Sequence, residues 1–305
     1  MKSVSPLQAF FLAARPKTLP AAAVPVVLGG ALAQSAGAFA FGPWILCLLF
    51  ALLIQVGTNY ANDYYDFVKG SDDERRIGPS RATASGWVKP SAMRRAMILT
   101  FAVAFLCGCG LIPFGGWWLL AVGVVSILCG IAYTGGPYPL GYNGWGDLFV
   151  FVFFGWVATA LTYYVQAGTF RYGEACGYWL LLAGAVPGVL STNLLVVNNL
   201  RDRPLDAESG KRTLAVRFGR RFALAEYHVL NASAFLSAVL FAFGTGHRGG
   251  LLVLGALPLA IRMSRRVQKA KTREAFATAL AGTAALLMLA GLLFSGGLLL
   301  RGSGL

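Results

Sequence analysis

Nine apolar stretches divide this 305-residue chain and leave little room for any fold outside a membrane. They run over Leu19–Ala36, Pro43–Ala61, Arg95–Pro113, Trp117–Tyr133, Leu148–Gln166, Tyr178–Val197, Phe222–Phe243, Leu251–Met263 and Ala275–Leu300. The chain is 57% hydrophobic and only 12% charged, which excludes a soluble domain. Hydrocarbon offers no partner to a backbone N–H or C=O, so each stretch is expected to be a helix. The expected fold is an all-α membrane protein with nine transmembrane helices. Leu251–Met263 is short for a bilayer core of about 30 Å, so it must borrow flanking residues or lie off the normal.

The basic residues orient these spans. With the N-terminus inside, all 26 Lys and Arg except Arg171, Arg248 and Arg301 fall on one side. That segregation satisfies the positive-inside rule and predicts a multi-pass protein of the cytoplasmic (inner) membrane, N-terminus cytoplasmic and C-terminus external. The net charge of +14 is then mostly orientation and not a nucleic-acid footprint. Leu7–Ala14 is too short to span and runs into Arg15-Pro16-Lys17, which reads as an interfacial helix.

Against this background the acids stand out. Asn59, Asn62, Asp63 and Asp66 lie at the end of the second stretch at three- and four-residue spacing, which puts them on one helix face. Asn198, Asn199 and Asp202 follow the sixth, and Asp206 would extend that stripe by a turn. Pro204 disfavours helical geometry at Arg203, which leaves the placement of Asp206 open. An acid at mid-bilayer costs roughly 2.5–3.5 kcal/mol, less near the interface, and intramembrane acids mark sites by default. Two facing sets of carboxylate and amide oxygens suit Mg²⁺, which takes one or two carboxylates and substrate phosphates. The plainer alternative is that Asn and Asp cap two wet helix ends. Both stripes open onto the most basic loops, Lys69–Arg95 and Arg201–Arg221, and cations beside a metal site suit a diphosphate.

The stripes repeat at equal distance, Asn62 to Asn198 and Asp66 to Asp202. This spacing predicts one domain over 1–305, with two pseudo-equivalent four-helix halves at about 15–143 and 144–273. A ninth helix follows at 275–300, and a central cavity faces the cytoplasm. The five cysteines lack metal-ligand spacing and read as small core residues, and His228 and His247 lie away from both stripes. Gly210-Lys211-Arg212-Thr213 lacks the leading glycine of a nucleotide loop.

Several stretches carry a family resemblance: Arg15-Pro-Lys-Thr-Leu-Pro20, Asn59-Tyr-Ala-Asn-Asp-Tyr-Tyr-Asp66 running on to Asp72, and Arg76-Ile-Gly-Pro-Ser-Arg81. Tyr133-Thr-Gly-Gly-Pro-Tyr-Pro-Leu-Gly-Tyr142, Asn198-Asn-Leu-Arg-Asp202 and Gly210-Lys-Arg-Thr-Leu-Ala-Val-Arg217 complete the set. The chain resembles the UbiA superfamily of intramembrane aromatic prenyltransferases, and within it the branch acting on 1,4-dihydroxy-2-naphthoate in menaquinone synthesis. The resemblance implies Mg²⁺ and a polyprenyl diphosphate, whose lipid tail leaves through a side opening into the bilayer. It places the first aspartate-rich motif on Asn62, Asp66 and Gly70, where many members have a third Asp; Asp72 is the substitute. It places the second motif on Asp202 and Asp206.

That chemistry assigns candidate roles. Lys69, Arg81 and Lys211, with Arg15 and Lys17, are candidates for the diphosphate. Tyr133, Tyr138, Tyr142, Tyr64 and Tyr60 are candidates for a pocket around the acceptor and the allylic cation, although tyrosines at this depth also form ordinary interfacial belts. Two rival readings stand: another aromatic acceptor, such as 4-hydroxybenzoate or homogentisate, and a divalent-cation transporter. The external halves of the spans are almost wholly apolar, which favours a closed cup over a path.

Overall fold

The computed structural model describes residues 4–70, 81–172 and 177–300. Among these residues the protein is helical, with no strand. Helix α1 (Pro6–Ala13) starts with a capping box in which Ser5 and Gln8 exchange hydrogen bonds, and Pro6 occupies the first turn. Its Ala9 and Ala13 pack on Val88 and Met93, while Leu7, Phe11 and Leu12 stay exposed. A 3₁₀ turn over Pro16–Thr18 then leads into α2 (Leu19–Ser35).

The next elements are α3 (Phe41–Val68), α4 (Pro90–Cys109), a single turn α5 (Ile112–Gly115) and α6 (Trp118–Ala132). The fifth apolar stretch forms α7 (Gly146–Phe151), a π turn (Val152–Val157) and α8 (Ala158–Ala167). Then follow α9 (Tyr178–Glu208) and α10 (Leu214–Thr245). A 3₁₀ segment over Arg248–Ala256, α11 (Leu257–Lys269) and α12 (Arg273–Leu299) complete the chain.

Among the described residues, seven helical segments are long and apolar enough to cross a membrane: Pro6–Ser35, Phe41–Val68, Pro90–Cys109, Gly146–Ala167, Tyr178–Glu208, Leu214–Thr245 and Arg273–Leu299. Trp118–Ala132 is a shorter apolar helix. The weak stretch at Leu251–Met263 is divided between the 3₁₀ segment and α11, whose last turn carries Arg266 and Lys269. Helix α9 sits at the centre, packed on α10, α12, α2, α7 and α8, and 78% of its apolar window is buried.

The structure decides the placement that Pro204 left open. Helix α9 continues through Pro204 to Glu208, so Asp206 remains on the helix. Proline removes one ladder hydrogen bond and disfavours the α-conformation before it. Within one turn of the helix end, that loss is small beside what holds the turn. Lys211 N–H bonds to the Asp206 carbonyl, and Lys211 Nζ lies 3.6 Å from the Asp206 carboxylate. Both stripes are therefore continuous with their spans, α3 running to Val68 and α9 to Glu208.

The last helix is placed by backbone contact. A Cβ built on Gly297 would lie 1.9 Å from the Gly249 carbonyl oxygen, and one on Gly249 would lie 2.1 Å from that of Gly297. A Cβ on the neighbouring Gly296 would meet nothing within 4 Å. Gly297→Ala should therefore force α12 away from the 3₁₀ segment and cost about 1–3 kcal/mol. Gly296→Ala should be neutral. Thermal melting of the two purified variants in detergent checks this; equal melting temperatures would refute the contact.

Candidate functional site

A cavity of about 330 Å³ lies between α2, α3, α6, α7–α8 and α9. One end is polar and gathers Arg15, Asn59, Asn62, Asp66, Arg81, Tyr133, Tyr142, Asn198, Asn199, Asp202, Asp206 and Lys211. The rest is apolar, with Val26, Cys47, Leu111, Leu119 and Val165 among its walls. The two stripes, far apart in sequence, thus line one space.

Asp66 organises the polar end. Its carboxylate is 1% exposed. It meets Arg81 Nη2 at 2.5 Å, accepts from the Tyr142 hydroxyl at 2.5 Å, and lies 3.7 Å from Lys211 Nζ. An ionised carboxylate this deep persists only when cations and donors repay its lost hydration. Here they come from three separate connections: the segment after α3, the loop after α6 and the loop after α9. Lys211 also lies over the Tyr142 ring, 4.5 Å from its centroid, and so joins Asp66, Asp206 and the ring. Asp202 is held differently, by a two-pronged contact from its neighbour Arg201 at 2.8 and 2.7 Å.

The amides of the first stripe are engaged too. Asn62 Oδ1 accepts from the Thr134 hydroxyl at 2.9 Å, while Asn59 donates to the Ala14 carbonyl at 2.8 Å and to Thr18. Asp63 points elsewhere. It is 1% exposed, does not line the cavity, and accepts the backbone N–H groups of Ala82 and Thr83 at 3.0 and 2.9 Å. Its work is to pin the residues beside Arg81, so the side chain beside it in the stripe, Asp66, receives its cation in register.

Other expected residues fall outside the cavity. Lys17 is exposed and Tyr138 is 57% exposed. Tyr64 and Tyr60 pack against the α1 cluster, with the Tyr60 hydroxyl on the Phe10 carbonyl. Lys69 donates to the carbonyls of Thr134 and Gly136 at 2.7 and 3.3 Å and lies 5.0 Å from the Tyr142 ring centroid. Desolvation lowers its pKa below the ordinary lysine range; Asp66 opposes this and Lys211 adds to it. Asp72, with the rest of 71–80, lies outside the described residues.

Two contributors escaped the sequence reading. Arg201 carries no spacing signal, because adjacent helical residues do not face each other; only its long side chain curls back onto Asp202. Thr134 sat inside the Tyr133–Tyr142 loop but looked like a turn residue.

For a metal, the donor set is oxygen throughout. Among the described residues no group of three His, Cys, Asp or Glu side chains is placed to hold an ion by itself. That fits Mg²⁺, which needs only one or two carboxylates and completes its shell with water and phosphate. It does not fit zinc, which would want a ready-made His or Cys set.

The sequence model of the UbiA prenyltransferase family matches residues 22–286. The chain is 38% identical over 278 residues to the 1,4-dihydroxy-2-naphthoate octaprenyltransferase of Escherichia coli (strain K12), covering 88% of this chain and 87% of that one. It is 40% identical over 259 residues to the enzyme of the same name from Mycobacterium tuberculosis (strain ATCC 25618 / H37Rv), covering 85% of each. Among solved structures, an apo UbiA homolog from Aeropyrum pernix K1 superposes with a TM-score of 0.69 at 15% identity, covering 90% of this chain and 95% of that one. A UbiA homolog from Archaeoglobus fulgidus bound to DMAPP and Mg²⁺ gives 0.63 at 15%, covering 94% and 99%. These two share the fold.

The anchor role of Asp63 is open to test. Asp63→Ala leaves two buried N–H groups without an acceptor and should cost about 1–3 kcal/mol. The loss should appear as a lower melting temperature and faster proteolysis near Arg81; an unchanged cleavage pattern would show that the segment is held by other contacts. With the family model matching most of the sequence, and with relatives this similar along nearly their whole length, the chain belongs to the UbiA prenyltransferase family.

Proposed function

We propose that this chain transfers a polyprenyl group from polyprenyl diphosphate to 1,4-dihydroxy-2-naphthoate. Diphosphate and CO₂ are lost and demethylmenaquinol is formed, a step of menaquinone biosynthesis. The observation that carries the reading is the cavity itself: buried acids and cations at one end, apolar walls along the rest. A lipid diphosphate has the same two-part character. The relatives from E. coli and M. tuberculosis named above, and two further bacterial relatives of the same name, support the naphthoate as acceptor.

Asn62, Asp66, Asp202 and Asp206 would hold Mg²⁺, with Asp72 as a further candidate. When bound, Mg²⁺ supplies Lewis-acid charge to the departing diphosphate. Arg81 and Lys211 are the chain's own cations for that charge, and Arg15 lines the same end. Both now face Asp66, so an incoming diphosphate meets groups already placed and desolvated. The allylic C–O bond breaks with its electron pair going to the diphosphate. The ring carbon of the acceptor then forms the new C–C bond, and the carboxylate leaves as CO₂, returning its pair to the ring. Tyr133 and Tyr142 line the cavity and offer electron-rich faces to the transient cation. No general base is required.

In the membrane, the same reading sets the N-terminus and the polar mouth on the cytoplasmic side of the inner membrane and the C-terminus outside, with eight spans in two related halves and a ninth helix. The basic loops of the sequence support it. The apolar far wall of the cavity favours an enzyme over a cation transporter.

Purified protein with Mg²⁺ and a polyprenyl diphosphate should prenylate 1,4-dihydroxy-2-naphthoate at least about tenfold faster than 4-hydroxybenzoate, the products being identified by mass. Equal rates, or the reverse preference, would remove the naphthoate assignment and leave prenyl transfer standing.

Asp66→Asn and Asp202→Asn should each lower kcat by more than about a hundredfold, and EDTA should abolish wild-type turnover. Near-normal activity in either variant at saturating Mg²⁺ would sink the metal assignment.

A further inference from the structure

The helical wall from Gly146 to Ala167 changes type midway. At the end of the π turn, the Ala158 N–H reaches the Phe153 carbonyl, five residues back. Phe149, Phe153, Val157, Leu161 and Val165 form one row of cavity-lining residues, and a second row beside it begins at Val150 and ends at Thr162. An α-helix turns about 100° per residue, so a row spaced by four drifts about 40° at each step. Such a row would swing out of the cavity within a few steps. A π turn holds more residues per turn, so a four-residue step across it falls short of a full turn and cancels the drift. Both rows therefore keep facing the cavity along a rise of about 24 Å. The rings of Phe149 and Phe153, 6.1 Å apart and 17° from parallel, show the alignment.

Behind this wall stands a backbone contact. A Cβ on Gly155, inside the π turn, would lie 2.8 Å from the Gly184 carbonyl oxygen and 2.9 Å from Gly188 Cα. Trp156 clamps the same side by donating from Nε1 to the Leu181 carbonyl at 3.1 Å. The wall thus sits as far back against α9 as two backbones allow.

We propose that the π turn and the Gly155–Gly184–Gly188 contact hold the wall clear of the path a long prenyl tail takes along the cavity toward the bilayer, and so set how well long donors are accepted, with Phe153 and Phe154 meeting the donor's tail. The inference rests on the prenyl-transfer reading above. Gly155 is a positioning residue: it acts by holding the two phenylalanines back. A donor tail laid along the rows gains apolar contact with each added unit only while the wall stays clear of its path.

The test uses the full-length protein with Mg²⁺, 1,4-dihydroxy-2-naphthoate and a donor series of geranyl, farnesyl and octaprenyl diphosphate. Gly155→Ala should lower the octaprenyl-to-geranyl ratio of kcat/KM by about tenfold, through the donor's KM, with the acceptor's KM unchanged. Phe153→Ala, which only opens space, should shift the ratio the other way and decides the matter if Gly155→Ala does not fold. A ratio unmoved in Phe153→Ala, together with equal losses for every donor in Gly155→Ala, would overturn the proposal while leaving prenyl transfer intact. Wild-type protein inactive with every donor would instead bring down the reading on which it rests.

Discussion

A single buried carboxylate carries the geometry of the polar mouth. Asp66 would be prohibitively placed if left alone, and the chain answers with a guanidinium, a phenol and an ammonium from three connections that are otherwise independent. Each of those connections is a loop between membrane helices, the part of such a protein least constrained by its spans. Because the acid is fixed on a long helix and its partners are not, the partners are drawn to it. The mouth is therefore assembled around α3, while α9 supplies the opposing wall with Asp202 already compensated by Arg201.

This arrangement also explains why acids of similar appearance do different work. Asp63 and Asp66 are one turn apart and equally buried. Asp63 spends both oxygens on backbone N–H groups, while Asp66 keeps side-chain cations that an anionic substrate can also use. Neutral donors hold a loop in place. Side-chain cations remain open to an incoming anion, so a site for diphosphate would be built from the second kind and fastened by the first.

Much of this was legible from residues alone. Long apolar runs predict helices because the membrane permits little else, and the two stripes converge because three- and four-residue spacing defines a face. What was hidden depends on contacts between elements distant in sequence. The split between Asp63 and Asp66 is invisible until the Arg81 segment is in place. The run of α9 through Pro204 reflects hydrogen bonding with Lys211, where local propensity pointed the other way. The π turn left no mark that apolar counting detects, since Phe149 to Val165 reads as one continuous run. Lys17, Lys69, Tyr64 and Tyr138 show the converse: suitable residue types near the right place that do not themselves line the cavity, Lys69 reaching it only through the Tyr142 ring.

Helix α10 holds a further consequence. At Gly219 its backbone leaves the helix, with φ of 83°, between a short first piece and the long remainder. The first piece carries Arg217, which donates to the Asn143 carbonyl and so is tied to the same loop that presents Tyr142. The joint between the piece tied to the mouth and the long remainder of α10 thus lies inside a helix at one residue. A side chain at Gly219 would be strained, because L residues rarely adopt a φ of 83°, and that strain would fall on the short piece that Arg217 ties to the mouth.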